Sequence, residues 1–521
     1  MIVRSRNAVF IFLCLGPLVI LSWQFLRRHA PPPGQPGQAP KLSSAHPAET
    51  GSPGHHNVSC SRRFNLPNEL KIAYPVNYGR RKIIVRPKAG LERKSVTKIE
   101  APLFPDMELV DRAGNPNPEM STCTEPLVLE VPQWETLPAD ASHIIFGTST
   151  LLTRLEASIP YFQRWLAYTN ARLFVIVVGP KGVPPDSVEM KRLENRLRDV
   201  GVSATLIKPL ENKHEFDQRY FSLIKVLYGN RDSKTKWVSF IDDDTFFTSM
   251  PIVVSALAKF DFSKQYYIGA LSEQLWTVGK YGLMGMGGAG IFLSLPMAAV
   301  VNAKYDHCIS ETKANAGDIR IFECVTWNSN TPLTPLPGLY QIDIHGDRSG
   351  LFESGRKIIS LHHWKEGWWD VNSIGGNKRK HETWFPMDRM HLVADICGTC
   401  FLQRWQFGTD SVLSNGYSIA VYPKGSLTEF EDHHGLDKVE QTWPDPKQIQ
   451  DAAIGPFDHY LGPLRPMLKL EVEKLQYRFL HAETVGGGVR QFYLHLGLGG
   501  EADTLVELLW IREEKLNYDD T

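Results

Sequence analysis

The feature that most constrains the fold is an alternation of short apolar runs and amphipathic stretches between His143 and about Leu271. The apolar runs are rich in β-branched and aromatic residues, as buried strands are, whereas the longer stretches have the spacing of surface helices. The predicted elements are strands at His143–Phe146, Leu173–Val178, Val202–Ile207 and Trp237–Ile241, with helices at Ser187–Val200 and Glu215–Gly229. This order predicts an α/β domain whose mostly parallel sheet is flanked by helices and binds ligands beyond the carboxyl ends of its strands.

The alternation fades after Asp370, and the boundaries follow from that change. Ser411–Pro423 and Gln491–Leu498 look strand-like and lie between Gly-rich and Pro-rich joins. We therefore predict an N-terminal extension at residues 61–140, the α/β domain at 141–370, and an appended β-rich C-terminal section at 371–521.

The N-terminus contains an apolar stretch, Ala8–Leu26, that has no charged residue and is flanked by arginines on both sides. Its length is sufficient to span a bilayer. The alternative is a cleaved signal peptide, but that would have a shorter apolar region and a small-residue cleavage site. We favour a retained transmembrane anchor at residues 8–26, after a cytosolic tail at residues 1–7.

Residues 27–60 are rich in Pro, Gly and small polar side chains, so they predict a semi-extended stem rather than a core. Asn57 begins an N-glycosylation sequon. Anchor, stem and sequon together predict a single-pass type II protein whose body is luminal, in the Golgi or another secretory-pathway membrane.

The cysteines are consistent with an oxidising compartment. Of 7 cysteines, one lies in the predicted anchor, and the even remainder is Cys60, Cys123, Cys308, Cys324, Cys397 and Cys400. The Cys397/Cys400 pair lacks both the second ligand pair of a zinc site and a thioredoxin-like context. Structural disulfides are therefore favoured, with Cys308 to Cys324 as the best single pairing, although spacing alone leaves the connectivity open.

The charge balance argues against nucleic acid as a partner. Lys+Arg 57 against Asp+Glu 57 gives a formal net charge of +0. Non-specific nucleic-acid binders usually carry a basic face or tail.

Three consecutive aspartates, Asp242 to Asp244, follow directly on the predicted strand Trp237–Ile241. Because side chains alternate along an extended segment, Asp242 and Asp244 should share one face and Asp243 the other. Carboxylates this close repel one another unless a positive group lies between them, and a divalent cation is the simplest such group. The alternative is a solvated turn in which an aspartate caps a helix at about Met250. We favour the metal.

Three further motifs carry polar or small residues at the ends of predicted elements. Gly287-Gly288-Ala289-Gly290 would let the backbone approach a bulky ligand, or would form a plain flexible loop. Asp318 opens a predicted helix, where an N-cap is the simplest role. His362 and His363 follow a predicted strand, Lys357–Leu361; a histidine pair is more often structural, but His beside carboxylates is a usual metal partner.

The order of these motifs resembles that of the fringe-like β1,3-glycosyltransferases, closest to their fungal membrane-anchored branch. The resemblance spans Ile144 to Trp364. Its motifs are Trp-x-x-x-x-Asp-Asp-Asp ending at Asp244, Tyr-x-x-Gly at 266–269, Gly-Gly-Ala-Gly-x-x-x-Ser at 287–294, Gly-Asp at 317–318, Gln-x-Asp-x-x-Gly-Asp at 341–347 and Ser-x-His-His at 360–363.

The resemblance implies a GT-A-type nucleotide-sugar transferase fold and a site with assigned roles. Asp244 and His362 would bind a divalent metal, Mn²⁺ in most such enzymes, with His363 as a fallback ligand. Asp318 would be the base that deprotonates the acceptor hydroxyl. The residues implied to hold the nucleotide, diphosphate or sugar are Thr148, Ser149, Arg154, Lys225, Asp242, Asp243, Gly287, Gly288, Ala289 and Gly290.

The function expected from these roles is inverting, metal-dependent transfer of a hexose or N-acetylhexosamine from a nucleotide sugar, expected to be a UDP-sugar, to a glycan or glycoprotein. One alternative is a non-catalytic luminal glycan-binding or scaffold protein that retains the fold. A metal-dependent phosphoesterase would need more ligands than the motifs supply. The tryptophans considered for stacking on sugars, although core packing is the commoner role, are Trp276, Trp364, Trp368 and Trp369.

Overall fold

The computed structural model describes residues 64–70, 72–111, 119–120, 124–134, 138–179, 182–183, 185–344, 346–367, 385–423, 435–443, 461 and 464–515. All of these lie within one structural unit, Cys60–Thr521. Outside the described residues fall the predicted anchor and stem, Asn57, Cys60, Cys123, Trp368 and Trp369. Among the helices that are described, none has the length and apolar character needed to cross a bilayer.

The strands of the first half are β1 (Val76–Lys88), β2 (Thr97–Ile99), β3 (Glu108–Val110), β4 (Leu127–Pro132), β5 (Ile144–Leu151), β6 (Arg172–Val178), β7 (Ser203–Ile207), β8 (Trp237–Phe240), β9 (Phe246–Phe247), β10 (Tyr267–Gly269) and β11 (Ile291–Ser294). Those of the second half are β12 (Leu333–Pro335), β13 (Leu339–Tyr340), β14 (Ser360–Leu361), β15 (Glu366–Gly367), β16 (Phe385–Pro386), β17 (Arg404–Phe407), β18 (Ser411–Ser414), β19 (Ser418–Val421), β20 (Val439–Gln441), β21 (Leu464–Pro466), β22 (Leu475–Val485), β23 (Gly488–His495) and β24 (Asp503–Arg512).

The helices are α1 (Leu152–Leu166), α2 (Ser187–Asp199), α3 (Phe216–Gly229), α4 (Met250–Leu257), α5 (Leu275–Tyr281), α6 (Leu295–Ala303), α7 (Tyr305–Glu311), α8 (Gly317–Asn328), α9 (Ser349–Phe352) and α10 (Ala394–Cys397). Two 3-10 helices lie at Met387–Val393 and Glu513–Lys515.

The α/β region is built on a seven-stranded sheet of order β12-β10-β11-β8-β5-β6-β7. Strands β8, β5, β6 and β7 run parallel, whereas β11 is antiparallel to both of its neighbours. The predicted mostly parallel sheet is confirmed, and its predicted strands and helices lie within a few residues of the observed bounds. The carboxyl ends of β5, β6 and β8 meet at one edge, where the aspartate triplet follows β8.

Helices cover both faces of this sheet. Helix α3 packs on one face through buried side chains such as Phe221, Leu223 and Leu227. Gly147 in β5 permits this contact, because an added Cβ would lie 2.9 Å from Leu227. Helices α1 and α2 contribute to the separate core on the opposite face.

A three-stranded sheet of order β13-β14-β9 links two distant segments of the site. Strand β14 pairs antiparallel with β9, with Ser360 opposite Phe247 and Leu361 opposite Phe246. His362 follows β14 and the triplet precedes β9, so this pairing brings the histidine beside the aspartates.

The predicted β-rich C-terminal section is also confirmed, and it shares one sheet with the region before the α/β domain. The order of this ten-stranded sheet is β2-β17-β18-β19-β22-β23-β24-β1-β3, with β4 also paired to β1. Strand β1 runs parallel to β24 from Val76 opposite Asp503 to Val85 opposite Arg512. The stretch predicted as strand-like at Ser411–Pro423 is two strands, β18 and β19, joined by a turn.

Two disulfides are present among the described cysteines. Cys308 of α7 is bonded to Cys324 of α8, which confirms the predicted pairing. Cys397 is bonded to Cys400, so this pair is a structural disulfide, as favoured from the sequence.

Candidate functional site

The loop that carries Asp242, Asp243 and Asp244 is held in shape by Thr245. The Asp242 N–H donates to Thr245 Oγ1 at 2.9 Å, and the Thr245 hydroxyl donates to the Gly288 carbonyl at 2.8 Å. The indole N–H of buried Trp364 donates to the Asp244 carbonyl at 3.0 Å. Helix α4 has Ser249 at its N-cap, so the alternative in which a triplet aspartate caps that helix is wrong.

Asp242, Asp244 and His362 form a compact cluster whose potential ligand atoms lie within 4.8 Å of one another. His362 Nε2 lies 2.9 Å from Asp244 Oδ1 and 3.3 Å from Asp242 Oδ2. The imidazole is buried, whereas the two carboxylates keep 28% and 21% of their side chains exposed. The cluster is therefore accessible from the side of Asp242 and Asp244.

Burial and the interaction with His362 shift the pKa values of the two carboxylates in opposite directions. Burial, with a contribution from the charge of Asp244, raises the pKa of Asp242 to about 7. Burial would also raise the pKa of Asp244, but the hydrogen bond and charge of His362 outweigh it and hold that pKa well below its usual range. For His362 the same two carboxylates outweigh burial and raise the pKa. The excess of negative charge favours a cation.

Asp243 points away from this cluster, as the alternation predicted. Arg154 Nε donates to Asp243 Oδ2 at 2.6 Å, and a second guanidinium N–H and the Thr150 hydroxyl also contact the carboxylate. The carboxylate is 5% exposed and Arg154 is 60% exposed. Asp243 therefore holds the Arg154 guanidinium group in place, while the arginine side chain remains exposed in the lining of a cleft.

The Gly287–Gly290 loop is buried behind the cluster rather than at its opening. An added Cβ at Gly288 would lie 2.2 Å from His362 Nδ1, and one at Gly287 would lie 2.5 Å from the Tyr220 hydroxyl. Ala289 N–H donates to Gln341 Oε1 at 2.8 Å. The small residues make room for protein side chains, so the structure does not support their implied direct contact with the donor.

Asp318 lies in the first turn of α8, with Ala316 at the N-cap, so the simplest interpretation of Asp318 as the N-cap is wrong. The Gly287 and Ile319 N–H groups donate to its two carboxylate oxygens at 3.1 and 2.9 Å. Burial raises the pKa of Asp318. The carboxylate is therefore fixed in orientation and is a stronger base than an exposed aspartate.

Tyr220 of α3 packs against the backbone next to Asp318. It was not predicted as a site residue. Its ring leaves no space for a Cβ at Gly317, and its hydroxyl lies against Gly287. That hydroxyl is buried, and within the described part of the chain it has no hydrogen-bond partner. Burial, then the charges of Asp242 and Asp318, raise the pKa of Tyr220 well above its usual range.

A cleft of about 900 Å³ opens at the aspartate triplet. Its cationic lining residues are Arg154, Arg219, Arg348 and Lys365, and its other lining residues include the three aspartates, Ser149, Thr150, His362 and His363. A polyanion such as a diphosphate would be attracted to this side of the cluster.

Several predicted residues lie elsewhere. Thr148 is fully buried in β5 and does not line the cleft, whereas Ser149 does. Lys225 Nζ lies 4.9 Å from the centre of the Tyr305 ring, away from the cleft lining, and this position does not support its implied diphosphate contact. Trp364 is core, and Trp276 is 56% exposed.

Two polar residues that hold the Gln341–Asp343 segment, Ser272 and Glu273, were missed from the sequence. Glu273, which is 3% exposed, accepts the backbone N–H groups of Gln341 and Asp343, both at 3.0 Å. The Ser272 hydroxyl donates to Asp343 Oδ2 at 2.7 Å. The Gln-x-Asp spacing was noted as a motif, but no sequence signal linked it to Ser272 and Glu273, 68 or more residues earlier.

The donor set of the cluster fits a divalent cation. Two carboxylates and one imidazole nitrogen, opening onto a cleft, leave coordination positions for water or a substrate. Asp242, Asp244 and His362 are the residues that would hold the ion. His363 Nδ1 lies 3.7 Å from Asp343 Oδ1, and His363 is outside this three-residue cluster.

Comparison with known proteins gives one family match. The family described as "Protein of unknown function, DUF604" matches residues 280–447, about a third of the chain. No curated protein matches the chain.

Similar solved structures include three glycosyltransferases. The glycosyltransferase GlyE of Streptococcus pneumoniae TIGR4 has 12% identity and a TM-score of 0.27, covering 38% of this chain and 45% of that one. Mannosyltransferase PcManGT of Pyrobaculum calidifontis, in complex with GDP-Man and Mn²⁺, has 9% identity and a TM-score of 0.28. The match covers 43% of this chain and 64% of that one. Mouse xyloside xylosyltransferase 1 has 11% identity and a TM-score of 0.26, and the match covers 37% of this chain and 84% of that one. This chain spans less than two-thirds of the first two structures.

Proposed function

We propose that the chain is a metal-dependent glycosyltransferase with a GT-A-type fold, which transfers a hexose or N-acetylhexosamine from a nucleotide sugar to a glycan or glycoprotein. The observation that carries the proposal is the Asp242–Asp244–His362 cluster at the mouth of a cationic cleft. Carboxylates and an imidazole on one side, and arginine and lysine side chains on the other, suit a nucleoside diphosphate held through a cation.

The chain's own residues supply binding and orientation. Asp242, Asp244 and His362 would hold the ion. Arg219 and Lys365 add positive charge along the cleft. A bound divalent cation would offset the negative charge that develops on the diphosphate leaving group. Trp364 and Thr245 keep the aspartate loop in place through their hydrogen bonds.

Asp318 is proposed as the general base. Its carboxylate is held by two backbone N–H groups and has a raised pKa, so it suits removal of a proton from an acceptor hydroxyl. The acceptor oxygen then bonds to the anomeric carbon as the bond to the diphosphate breaks. A single displacement of this kind inverts the anomeric centre.

The finer assignments are also proposals. The motif order that resembles fringe-like enzymes supports a UDP-sugar donor, Mn²⁺ and a β1,3 linkage. The apolar stretch at residues 8–26, the stem and the sequon support a type II Golgi protein with a luminal catalytic domain.

Ligand-dependent thermal unfolding of the full chain tests the proposal. A matching donor should raise the midpoint only with Mn²⁺, because a ligand that binds the folded state stabilises it by mass action. The panel is UDP-glucose, UDP-galactose, UDP-N-acetylglucosamine and GDP-mannose. Asp244→Ala should abolish the shift, and Asp199→Ala, an exposed aspartate at the end of α2, should retain it. A folded wild-type chain that responds to no donor would favour the non-catalytic glycan-binding alternative.

The base assignment has a separate test. Asp318→Asn should keep the Mn²⁺-dependent donor shift and lose transfer to an acceptor identified on a glycan array. Transfer at the wild-type rate would remove Asp318 from that role.

A further inference from the structure

The segment Gln341–Asp343 is held in a fixed conformation beside the cluster. Glu273 accepts the N–H groups of its two end residues, and Ile342 between them has a positive φ of 59°. A β-branched residue rarely adopts this conformation, so the surrounding contacts must impose it.

The Asp343 carboxylate has one oxygen engaged and one available. The Ser272 hydroxyl donates to Oδ2 at 2.7 Å. Oδ1 accepts no hydrogen bond from the residues the structure describes, and His363 Nδ1 lies 3.7 Å away, beyond hydrogen-bond distance. The side chain is 19% exposed. This oxygen can therefore accept a hydrogen bond from a ligand.

The neighbours of Asp343 are the groups assigned to the reaction. The Gly287–Gly290 loop connects them, because the Gly287 N–H donates to Asp318 and the Ala289 N–H donates to Gln341, two residues before Asp343. Tyr220 is 2% exposed, and its hydroxyl, which has no partner among the described residues, lies with Asp318 against Gly287. A buried hydroxyl without a partner is costly, which indicates that a ligand or water completes it.

The cleft contains the cations of the site. Arg154, Arg219, Arg348 and Lys365 line it together with the aspartate triplet and His362, whereas Asp318, Asp343 and Tyr220 do not line it. A diphosphate held through a cation therefore belongs in the cleft. Beside Asp318 and Asp343, the hydroxyls of a neutral sugar can donate hydrogen bonds, whereas the carboxylate of a uronic acid would meet like charges.

We propose that Asp343 Oδ1 accepts a hydrogen bond from a hydroxyl of the transferred sugar, and that Asp318, Asp343 and Tyr220 together select a neutral sugar over a uronic acid. This inference rests on the proposed function. Glu273 and Ser272 act as positioning residues, because they hold the backbone and the second oxygen of Asp343.

The test compares nucleotide sugar with free nucleotide on the full chain. In Mn²⁺, calorimetric affinities are measured for UDP, for UDP-glucuronate and for the UDP-sugar of the panel that binds most tightly. Asp343→Asn should weaken binding of the neutral UDP-sugar about 10-fold or more, because a hydrogen bond to a charged group is lost. UDP affinity should change less than twofold, and wild-type protein should bind UDP-glucuronate at least 10-fold more weakly than the neutral sugar.

Controls separate failure of this inference from failure of the proposed function. Asp199→Asn should have the wild-type affinity for all three ligands. Ser272→Ala should weaken binding of the neutral UDP-sugar, but less than Asp343→Asn does. If folded Asp343→Asn loses affinity equally for UDP and for the UDP-sugar, or loses no affinity, the proposed role of Asp343 is overturned. Equal or tighter UDP-glucuronate binding would overturn the selection for neutral sugars. A wild-type chain that binds neither UDP nor any nucleotide sugar would overturn the proposed function, and this inference with it.

Discussion

At the scale of single residues, Gly288 offers a sensitive test of the cluster. An alanine there would place Cβ 2.2 Å from His362 Nδ1, so the imidazole must shift from its position beside Asp244. We expect Gly288→Ala to weaken Mn²⁺ binding at least 10-fold and to lower the free energy of unfolding by about 1–3 kcal/mol through overpacking. Titration of free Mn²⁺ by electron paramagnetic resonance measures the first effect, and denaturant unfolding the second.

Gly279→Ala is the matched control. Within the described part of the chain, no heavy atom lies within 4 Å of a Cβ added at this helical glycine. This variant should keep Mn²⁺ binding and gain up to about 1 kcal/mol in stability, because alanine favours a helix. Wild-type Mn²⁺ affinity in folded Gly288→Ala would argue against His362 as a ligand.

The sequence could indicate some site residues and not others. Asp242, Asp244 and His362 each stand at the end of an apolar strand, and the structure brings them together. Tyr220 and Glu273 have no such signal, because a tyrosine in an amphipathic helix has the pattern of a core residue, and a single glutamate has the pattern of a surface residue. Only the folded backbone places them beside Asp318 and Asp343.

At the scale of elements, the 3-10 helix Met387–Val393 buries a histidine against the site. His391 stacks on Phe246 with ring centres 5.1 Å apart and lies 5.8 Å from Trp364. Burial, and secondarily the charge of Arg164, lowers the pKa of His391 to about 3, from an ordinary value of 6.5. Between these values the unfolded chain binds a proton that the folded chain does not, so this residue makes stability fall as the pH falls.

We expect the free energy of unfolding to lose up to about 1.4 kcal/mol per pH unit from His391 across this window. His391→Gln and His391→Phe should both have a shallower dependence of stability on pH, although they differ in packing. Denaturant unfolding at a series of pH values between 4 and 7 gives the slopes. Parallel curves for wild type and both variants would show that His391 does not contribute.

The disulfide between α7 and α8 stabilises the helix that carries Asp318. It closes a loop with a sequence separation of 16, for which chain entropy predicts about 3 kcal/mol. The Cys308→Ala/Cys324→Ala double variant should lose close to that amount. The Cys397→Ala/Cys400→Ala variant should lose less, because its sequence separation is 3. Denaturant unfolding of both double variants makes the comparison, and the reverse order would contradict the loop-length argument.

Elements were predictable where burial and periodicity agree. Strands β6 and β8 lie within the buried sheet, and their mostly apolar runs indicated their positions. Strand β5 continues beyond the predicted end at Phe146 to Leu151, through small and hydroxyl residues that have no apolar pattern. The pairing of β1 with β24 was not predictable, because strand patterns do not specify partners more than 400 residues apart. The small residues of the Gly287–Gly290 loop likewise indicate a close approach, but not which group approaches.

At the scale of the whole molecule, Glu507 of β24 links strand β1 to the antiparallel pair of strands β23 and β24. The carboxylate is 1% exposed and lies 2.8 Å from Arg80 Nε and 2.9 Å from Arg490 Nη2. Tyr78 donates its hydroxyl to the same group at 2.5 Å. Glu507→Ala should cost about 3–5 kcal/mol, because it leaves two arginines without their buried counter-charge.

Glu130→Ala is the control for this prediction. Glu130 pairs with Lys88 of β1 at 2.7 Å, but both side chains are largely exposed. Its loss should change the free energy of unfolding by less than about 1 kcal/mol. Urea unfolding of both variants measures the difference, and similar costs would mean that Glu507 does not tie the two ends of the sheet.

The parallel pairing of β1 with β24 has a consequence for biosynthesis. Arg80 and Glu507 are 427 residues apart, so at about 5–20 residues per second β1 must wait roughly 20–90 s for its partner strand to be made. During that interval the growing chain carries an unpaired strand edge, which is a site for aggregation. A nascent chain that stops short of Arg512 would leave that edge open, so chaperone capture of this protein should last until its final strand has emerged from the ribosome.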